Sequence, residues 1–161
     1  MQTPPAAEAP APDAAQAAAL LRLENQFCFM LYSTSHALTR AYAPLLEELG
    51  LTYPQYLVML LLWEQDGVSV KQLGQKLFLD SGTLTPLLKR LEAAGLIRRA
   101  RNKSDERQVD IFLQEAGSAL RSKALRVPQQ VLCMSGKSLP ELEQLREDLR
   151  SLRAQLLQTA G

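Results

Sequence analysis

Residues 69–113 read SVKQLGQKLFLDSGTLTPLLKRLEAAGLIRRARNKSDERQVDIFL, and short adjacent patterns in this stretch predict a complete structural motif. Ser69 begins an S-x-x-Q capping box, which opens a short helix that we expect to end near Leu77. A turn of three or four residues follows, and either Asp80 or Ser81 can cap a second helix. The spacing therefore predicts two helices joined by a tight turn.

The second helix is predicted to be amphipathic and to end at Gly95, which suits a left-handed C-cap. Leucines recur along it at i, i+3, i+4 and i+7 and should be buried: Leu84, Leu87, Leu88 and Leu91. The opposite face points towards a possible groove in DNA, and we expect DNA contacts from Ser81, Thr83, Thr85, Pro86, Lys89 and Arg90. A proline in a helix interior costs roughly 3 kcal/mol, and such exceptions tend to occur at functional sites.

A hairpin pattern follows the second helix. Residues 96–99 form a first strand and residues 101–107 a charged loop. Apolar residues then alternate along a second strand at Val109, Ile111 and Leu113. Two helices followed by a hairpin form a winged helix-turn-helix. The predicted fold class is therefore mainly α with a small β-hairpin wing.

Positive charge is concentrated in this part of the chain. Residues 89–107 contain seven Lys or Arg and three Asp or Glu, a local charge of +4 in a chain whose total is +1. The remainder therefore carries about −3, so the patch does not reflect a generally basic protein. A basic patch on a nearly neutral protein is typical of a phosphate-binding face. The alternative is a solvated polar face on a helix and hairpin that serve only as scaffold.

The composition suits one globular domain. The 161 residues are 47% hydrophobic, which is enough for a core. Residues 1–13 are rich in Ala and Pro and are predicted to be a disordered tail rather than a signal or transit peptide. No apolar run is long enough for a membrane span. Two cysteines without an export signal indicate a reduced, cytoplasmic protein.

The single domain is expected to span residues 14–161, with the winged helix at about 52–114. Dimerisation helices are expected on both sides of it, at about 14–49 and 115–158. We expect one continuous helix over residues 14–42, apolar nearly all round and largely buried.

Prolines and a tryptophan mark the ends and centre of the predicted helices. Pro44 should end or kink the first long helix near Ala43. A second capping box at Thr52 opens a helix that is apolar on every face and should form the centre of the core. We expect Trp63, near its end, to be a core residue.

The segment after the wing is predicted to contain two further helices. The first runs from Glu115 to about Leu132, with a late disturbance at Pro128, and the second is capped at Ser138. Leucines in the last helix repeat at spacings of 3, 4, 3 and 4: Leu142, Leu145, Leu149, Leu152 and Leu156. Two heptads are too short to hold a coiled coil alone, so both chain ends together predict a homodimer interface.

These motifs resemble a known family. LDSGTLTPLLKRLE at residues 79–92 and DERQV at residues 105–109 are similar to the recognition helix and wing of the MarR repressors. NQFCF at residues 25–29 and TYPQY at residues 52–56 resemble the organic-hydroperoxide-sensing branch of that family. The resemblance extends over about residues 23–157. It implies a DNA operator as partner and an organic hydroperoxide as the oxidant.

The resemblance also assigns roles in the wing. It implies that Arg107 reaches into a minor groove and that Asp105 fixes the shape of the wing. Lys103 belongs to the same charged loop, and we expect it to contact phosphate, as we do for Lys89.

Cys28 allows two interpretations. It lies among aromatic residues and is either a small buried hydrophobe or a reactive thiol, which requires donors that hold a thiolate. His36 is about 12 Å along the helix axis and is better explained as a structural or surface residue. Tyr32, at i+4, is a helical neighbour. Tyr42 lies about 21 Å away on a straight helix, but Tyr42 and Tyr53 of a partner can reach Cys28 across antiparallel first helices, as the resemblance implies.

Cys133 is either an incidental loop cysteine or a resolving thiol. Two-cysteine sensors resemble this sequence, and the resemblance implies that Cys133 forms a disulfide with Cys28 after that thiol is oxidised to sulfenic acid.

We therefore predict a homodimeric, peroxide-responsive repressor that leaves its operator when Cys28 and Cys133 are bridged. The alternative is a MarR-type repressor released by a small phenolic or lipophilic ligand. An enzyme is the third class, but the sequence contains no nucleophile-elbow, dinucleotide-binding or metal-ligand spacing. No metal or cofactor is therefore expected.

Overall fold

The computed structural model describes residues 14–102, 104, 105 and 107–159. The helices are α1 (Ala14–Leu20), α2 (Phe27–Glu47), α3 (Tyr53–Glu64), α4 (Val70–Leu77), α5 (Ser81–Ala93), α6 (Glu115–Ala124), α7 (Arg126–Ser135) and α8 (Leu139–Thr159), with a 3-10 turn at Leu23–Asn25. The strands are β1 (Val68–Ser69), β2 (Ile97–Arg101) and β3 (Val109–Leu113). The chain divides into two compact units between Thr39 and Arg40. The predicted tail, residues 1–13, and Lys103 lie outside the described residues.

The first predicted helix is interrupted. α1 ends at Leu20 and α2 begins only at Phe27, so the expectation of one helix over residues 14–42 was wrong. The Asn25 side-chain amide donates to the Ala19 carbonyl over 2.8 Å, and that of Gln26 donates to the Leu20 carbonyl. These bonds satisfy carbonyls that a continuing helix would have used, and so stabilise the end of α1.

Of the two expectations for Pro44, a helix end or a kink, the end near Ala43 is not observed, because Pro44 lies inside α2, which continues to Glu47. Pro44 is exposed, while Leu46, in the last turn, is 1% exposed and belongs to the core. Burial of a leucine contributes about 1.5–3 kcal/mol, comparable to the cost of an interior proline. Packing therefore holds the last turn in helical form.

The apolar face of the first segment is exposed in the single chain, contrary to the expectation of burial. Its exposed side chains are Leu20, Leu23, Phe27, Met30, Leu31 and Leu38. The prediction failed because the all-apolar pattern is equally compatible with an internal core and with a face that only association covers.

The winged helix is built on α3. Val58, Met59 and Leu62 of this helix are buried in one cluster with the leucines of α5 and with Ile97 and Ile111 of the sheet. β2 and β3 form the predicted antiparallel hairpin. β1 adds a third, unpredicted strand, and the order is β1-β3-β2. A strand of two residues is too short to show alternation in the sequence. The mainly helical fold with a β-hairpin wing is confirmed.

α3 and α6 are in close contact near their ends. Trp63 is half-buried rather than fully in the core, and its indole Nε1 donates to the Gly117 carbonyl oxygen over 2.8 Å. A Cβ added to Gly117 would overlap the carbonyl oxygen of Leu96, and would lie 3.3 Å from Cε of Met59. Only glycine therefore permits α6 to lie this close to Leu96, the residue before β2.

The helix predicted over residues 115–132 is divided at Leu125 into α6 and α7. Pro128 explains the position of the break, because it has no N–H for the carbonyl four residues earlier, that of Ala124, and its ring crowds that carbonyl. The disturbance is therefore one turn earlier than expected. At the start of α8 the Glu141 carboxylate accepts from the Ser138 backbone N–H over 2.8 Å, which is one half of the predicted capping box.

Candidate nucleic-acid interface and cysteine sites

The first helix of the helix-turn-helix begins at the predicted capping box. The Gln72 backbone N–H donates to Ser69 Oγ over 3.2 Å, and the Ser69 backbone N–H donates to Gln72 Oε1 over 3.0 Å. The helix ends at Leu77, and the backbone of the C-cap residue Phe78 is left-handed, with φ of 56°. The ring of Phe78 is exposed, and the Arg153 guanidinium lies 4.6 Å from its centroid. The Ser69 box is confirmed.

Asp80, rather than Ser81, caps the recognition helix α5. Its carboxylate accepts from the backbone N–H and the hydroxyl of Thr83, both over 2.9 Å. The same two bonds hold the pKa of Asp80 below its ordinary value. At the other end, Gly95 has φ of +70°, so the predicted left-handed C-cap is confirmed.

The two faces of α5 separate as the leucine spacing predicts. The four leucines are buried, and the candidate DNA contacts on this helix are exposed: Ser81, Thr83, Thr85, Pro86, Lys89 and Arg90. The Thr85 hydroxyl donates to the Ser81 carbonyl oxygen over 2.7 Å. Pro86 lies in the helix interior. Its ring crowds the Gly82 carbonyl and leaves that carbonyl without its helical N–H donor, and exposure of Pro86 removes neither cost.

We use the term wing for β2, β3 and the loop between them. The Asp105 carboxylate binds the two residues that lead into β3. One oxygen accepts from the Arg107 backbone N–H over 3.0 Å, and the other accepts from Gln108 Nε2 over 2.9 Å. Gln108 and then Arg107 lower the pKa of Asp105 through these bonds. Asn102 accepts from the backbone N–H groups of Ser104 and Asp105. These bonds constrain the backbone at Ser104, Asp105 and Arg107, and the Arg107 side chain is exposed.

A concave surface separates the recognition helix from the wing. This basic concavity has a volume of about 360 Å³. Its lining includes the cationic side chains of Lys71, Arg99 and Arg107, together with Thr85 of α5. Three cations around one concavity form an electrostatic environment suited to phosphate.

Cys28 is a free, exposed thiol in the first turn of α2. This thiol is exposed in the single chain, so any burial of Cys28 would come from a second subunit. In the same unit, the rings of Tyr32 and His36 meet edge to face with centroids 4.4 Å apart. Tyr32 lies on the same helix as Cys28. His36 is exposed and contacts the Tyr32 ring.

The second unit brings three tyrosines together. The ring centroids of Tyr42 and Tyr53 are 4.9 Å apart, and those of Tyr42 and Tyr56 are 6.1 Å apart. Burial raises the pKa of Tyr42, and its neighbours Tyr53 and Tyr56 raise it further. Burial likewise raises the pKa of Tyr53 and Tyr56. The three phenols therefore remain protonated donors at neutral pH. Sequence reasoning missed Tyr56, although its position three residues after Tyr53 places both on one side of α3.

Cys133 is a free, exposed thiol near the end of α7, in the unit of residues 40–161. α7 ends at Ser135, and Gly136 follows with φ of +64°. Its predicted place beside a loop is thus observed, and each cysteine belongs to a different unit.

Within the described ranges, no group of three or more His, Cys, Asp or Glu side chains is arranged to hold a metal ion. Over the same part of the chain, no helix has the length and apolar character needed to cross a membrane.

Sequence comparison relates the chain to transcriptional regulators. The family described as Transcriptional regulator SarA/Rot matches residues 40–123. The HTH-type transcriptional regulator TtmR of Methylorubrum extorquens is 54% identical over 86% of this chain and 71% of its own. The organic hydroperoxide resistance transcriptional regulator of Bacillus subtilis is 51% identical over 82% of this chain and 90% of its own.

Comparison with solved structures finds similarity to the regulator AbfR. AbfR of Staphylococcus epidermidis has been solved in several states. Reduced AbfR bound to DNA is 35% identical and superposes with a TM-score of 0.71, covering 88% of this chain and 99% of the other. Disulfide-formed AbfR is 36% identical with a TM-score of 0.59, covering 86% and 97% of the two chains.

Proposed function

Because the chain belongs to the SarA/Rot family of MarR-type winged-helix transcriptional regulators, we propose that it represses transcription as a homodimer on double-stranded DNA. We further propose that an organic hydroperoxide releases it by oxidising Cys28. The relatives that it matches are transcriptional regulators rather than enzymes.

The observation that carries the DNA-binding proposal is the arrangement of α5 beside the wing. The exposed face of α5 and the wing border the same basic concavity. Thr85 lines it from α5, and Arg107 lines it from the wing. A recognition helix of 13 residues fits a major groove, while a wing held by Asp105 extends to the adjacent minor groove. The relative AbfR binds DNA in its reduced state, which supports the same role here.

Replacing Arg107 with alanine should weaken operator binding by about 1–3 kcal/mol and leave the fold intact. The exposed guanidinium makes no hydrogen bond within the described residues that stabilises the wing, so its loss should affect DNA alone. The measurement is a titration of operator and of unrelated DNA by fluorescence anisotropy. Lys89→Ala is the comparison, since loss of a phosphate contact should weaken both DNAs and reduce the salt slope by about one. Unchanged operator binding by Arg107→Ala would remove it from the interface.

The homodimer proposal rests on exposed apolar surfaces in each unit. In the unit of residues 40–161, α8 exposes Leu145, Leu149 and Leu156 along one seam. In the first unit, α2 exposes Phe27 and Met30. Monomeric proteins rarely expose contiguous apolar surface of this kind, and two recognition helices per dimer would read two half-sites one helical turn apart.

Replacing Leu149 with aspartate should convert the dimer to monomer or cause aggregation. Each seam leucine contributes about 1.5–3 kcal/mol when buried, and a carboxylate in that position would lose its hydration in the interface. Ser151→Asp adds the same charge to the same helix two residues away, and should leave the dimer unaltered. Sedimentation velocity distinguishes the states, and a normal dimer of the Leu149 variant would place the interface elsewhere.

The redox proposal rests on the position of Cys28. An exposed thiol in the first turn of α2 lies at the positive end of a helix dipole, which stabilises negative charge. We propose that tyrosine hydroxyls of the Tyr42 and Tyr53 pair donate to this thiolate across the dimer, with Tyr32 as a donor on its own helix. The relative named for organic hydroperoxide resistance supports this oxidant class.

The chemistry has two steps. The Cys28 thiolate attacks the terminal peroxide oxygen, the O–O bond breaks, and sulfenic acid and an alcohol are formed after proton transfer. The Cys133 thiol of the other subunit then attacks the sulfenic sulfur, which forms an intersubunit disulfide and releases water. The existence of a disulfide-formed AbfR supports the second step in this family.

A gel-shift titration with cumene hydroperoxide, with non-reducing electrophoresis of the same samples, tests this proposal. We expect the DNA complex to be lost in parallel with the appearance of a disulfide-linked dimer, and reduction to restore both the complex and the free thiols. Release with both thiols still free would contradict it.

One observation favours the alternative of a ligand-released regulator. A cavity of about 260 Å³ lies between α3 and the segment of α6 and α7, with Tyr56, Leu60, Trp63, Arg121 and Pro128 among its lining residues. The walls are mostly apolar and aromatic, with one cation, Arg121, and one carboxylate, Glu64, and they suit a small phenolic ligand. Release of DNA by salicylate from a Cys28→Ser protein would support this second function.

A further inference from the structure

The end of the recognition helix is tied to the wing by one acidic side chain. Glu92 is the penultimate residue of α5. After it the chain reverses through Gly95, whose N–H donates to the Glu92 carbonyl oxygen over 2.9 Å, while Leu96 donates to the Leu91 carbonyl over 3.1 Å. This tight reversal returns β2 alongside the helix, so that Arg99 faces Glu92.

Glu92 holds Arg99 at two points. One carboxylate oxygen accepts from the Arg99 backbone N–H over 3.0 Å, and the other accepts from the guanidinium Nε over 2.7 Å. The Arg99 side chain and then its backbone lower the pKa of Glu92, so the carboxylate is ionised at neutral pH. Both side chains are one-third exposed. Because Glu92 binds both the backbone and the side chain of Arg99, it fixes the position of β2 as well as the orientation of the guanidinium.

β2 has the topology that makes such a bond useful. It lies at the edge of the sheet, paired on one side only, with β3. An edge strand exposes unpaired N–H groups and is the easiest strand to displace. The Glu92 carboxylate covers one of these groups, that of Arg99, and so connects the outer edge of the wing to α5.

Arg99 in turn lines the basic concavity, together with Thr85 of α5 and Arg107 of the wing. Its bond to Glu92 uses Nε, so the two terminal nitrogens of the planar guanidinium remain as donors for a phosphate.

An acidic residue beside this concavity opposes DNA binding unless it has another role. Residues 89–107 contain seven basic and three acidic residues, and Glu92 is one of the three. Its charge repels phosphate. We propose that Glu92 is a positioning residue that holds Arg99 and the wing against the recognition helix, and so determines how selectively the protein reads DNA. This inference rests on the proposed DNA-binding function.

Positioning and simple electrostatics predict different results for Glu92→Gln. If Glu92 only repels phosphate, its neutralisation should raise affinity for all DNA equally. If it positions the wing, the amide nitrogen of glutamine meets the Arg99 Nε donor and the link fails. Binding to unrelated DNA should then rise, while selectivity falls by about tenfold, in line with loss of a charge-assisted hydrogen bond.

The experiment uses the full chain and two duplexes of equal length: one recovered by the wild-type protein from a random-sequence library, the other a scramble of it. Selectivity is the dissociation constant for the scrambled duplex divided by that for the recovered duplex. This ratio is measured for wild type, Glu92→Gln, Arg99→Lys and Glu143→Gln. Arg99→Lys keeps net charge but removes Nε, so it should lower the ratio without raising affinity for the scrambled duplex. Glu143, exposed on α8 and without a hydrogen bond or ion pair in the described part of the chain, is the charge control.

Hydroxyl-radical footprinting supplies the second readout. We expect Glu92→Gln and Arg99→Lys to lose protection at the outer edges of the recovered site, where the wings lie, while protection from α5 remains. A ratio and footprint unchanged in both variants would overturn the inference. If Glu92→Gln does not fold, Arg99→Lys still decides it. A wild-type protein that recovers no preferred duplex would instead contradict the proposed function.

Discussion

A Cys28→Ser protein should bind DNA like the reduced wild type and remain bound at hydroperoxide concentrations that release the wild type. Serine preserves the size of the side chain, and the exposed position in the first turn of α2 imposes no packing cost. Its hydroxyl is not a nucleophile towards peroxide without an adjacent base. The concentration for half-release should therefore rise on the order of a hundredfold or more.

Cys133→Ser is the matched variant, since it also removes one exposed thiol. It should form sulfenic acid at Cys28 without a disulfide-linked dimer, and excess peroxide should drive it to sulfinic acid. Intact-mass analysis after one equivalent of cumene hydroperoxide separates these species by the added oxygen. A disulfide-linked dimer in the Cys28→Ser protein would sink the mechanism, because only Cys133 would then remain to form it.

Gly117→Ala should destabilise the protein by on the order of 3 kcal/mol. Helix propensity alone predicts the opposite sign, since alanine is favoured over glycine by about 1 kcal/mol in a helix. In this fold the new Cβ would overlap the Leu96 carbonyl oxygen, which the Gln114 N–H holds in place over 2.9 Å. The backbone of α6 would have to move, and the bond from Trp63 to Gly117 would be lost with it.

Urea unfolding at fixed protein concentration measures this effect, because a dimer's apparent stability depends on concentration. Ser118→Ala, at the exposed neighbouring position, is the control and should change stability by less than about 0.5 kcal/mol. Equal stability of the two variants would mean that α6 can withdraw from β2 at little cost.

Local signals predicted the helix-turn-helix because its chemistry is local. The capping box of Ser69, the N-cap of Asp80 and the left-handed Gly95 each act within a few residues. The family was recognisable for the same reason, since its motifs lie in consecutive residues, and the comparisons confirm it.

Helix boundaries elsewhere depended on competition that sequence patterns do not resolve. At Pro44 the burial of Leu46 outweighs the proline, whereas at Pro128 the same residue type divides a helix one turn earlier than expected. Side-chain amides of Asn25 and Gln26 end α1 through bonds that only the folded turn defines.

In the candidate site, too, local patterns were predictable from the sequence and contacts between distant elements were not. The exposed face of α5 followed from leucine spacing, because periodicity fixes which side of a helix is buried. The pairing of Glu92 with Arg99 did not, since it depends on the angle at which β2 returns after Gly95. The roles of Cys28, Cys133 and the tyrosines stay predictions, because they require a second subunit.

Trp63 gives this protein an internal optical reporter. It is the one tryptophan in the sequence. Its indole N–H is bonded to Gly117 of α6, its ring meets Tyr56 with centroids 6.4 Å apart, and it borders the cavity between α3 and α7. Indole emission responds to hydrogen bonding and to solvent access, so a single unlabelled fluorescence signal reports whether α6 stays seated on α3. Entry of an aromatic molecule would alter this emission directly, whereas thiol oxidation would alter it only by moving the helices that enclose the indole.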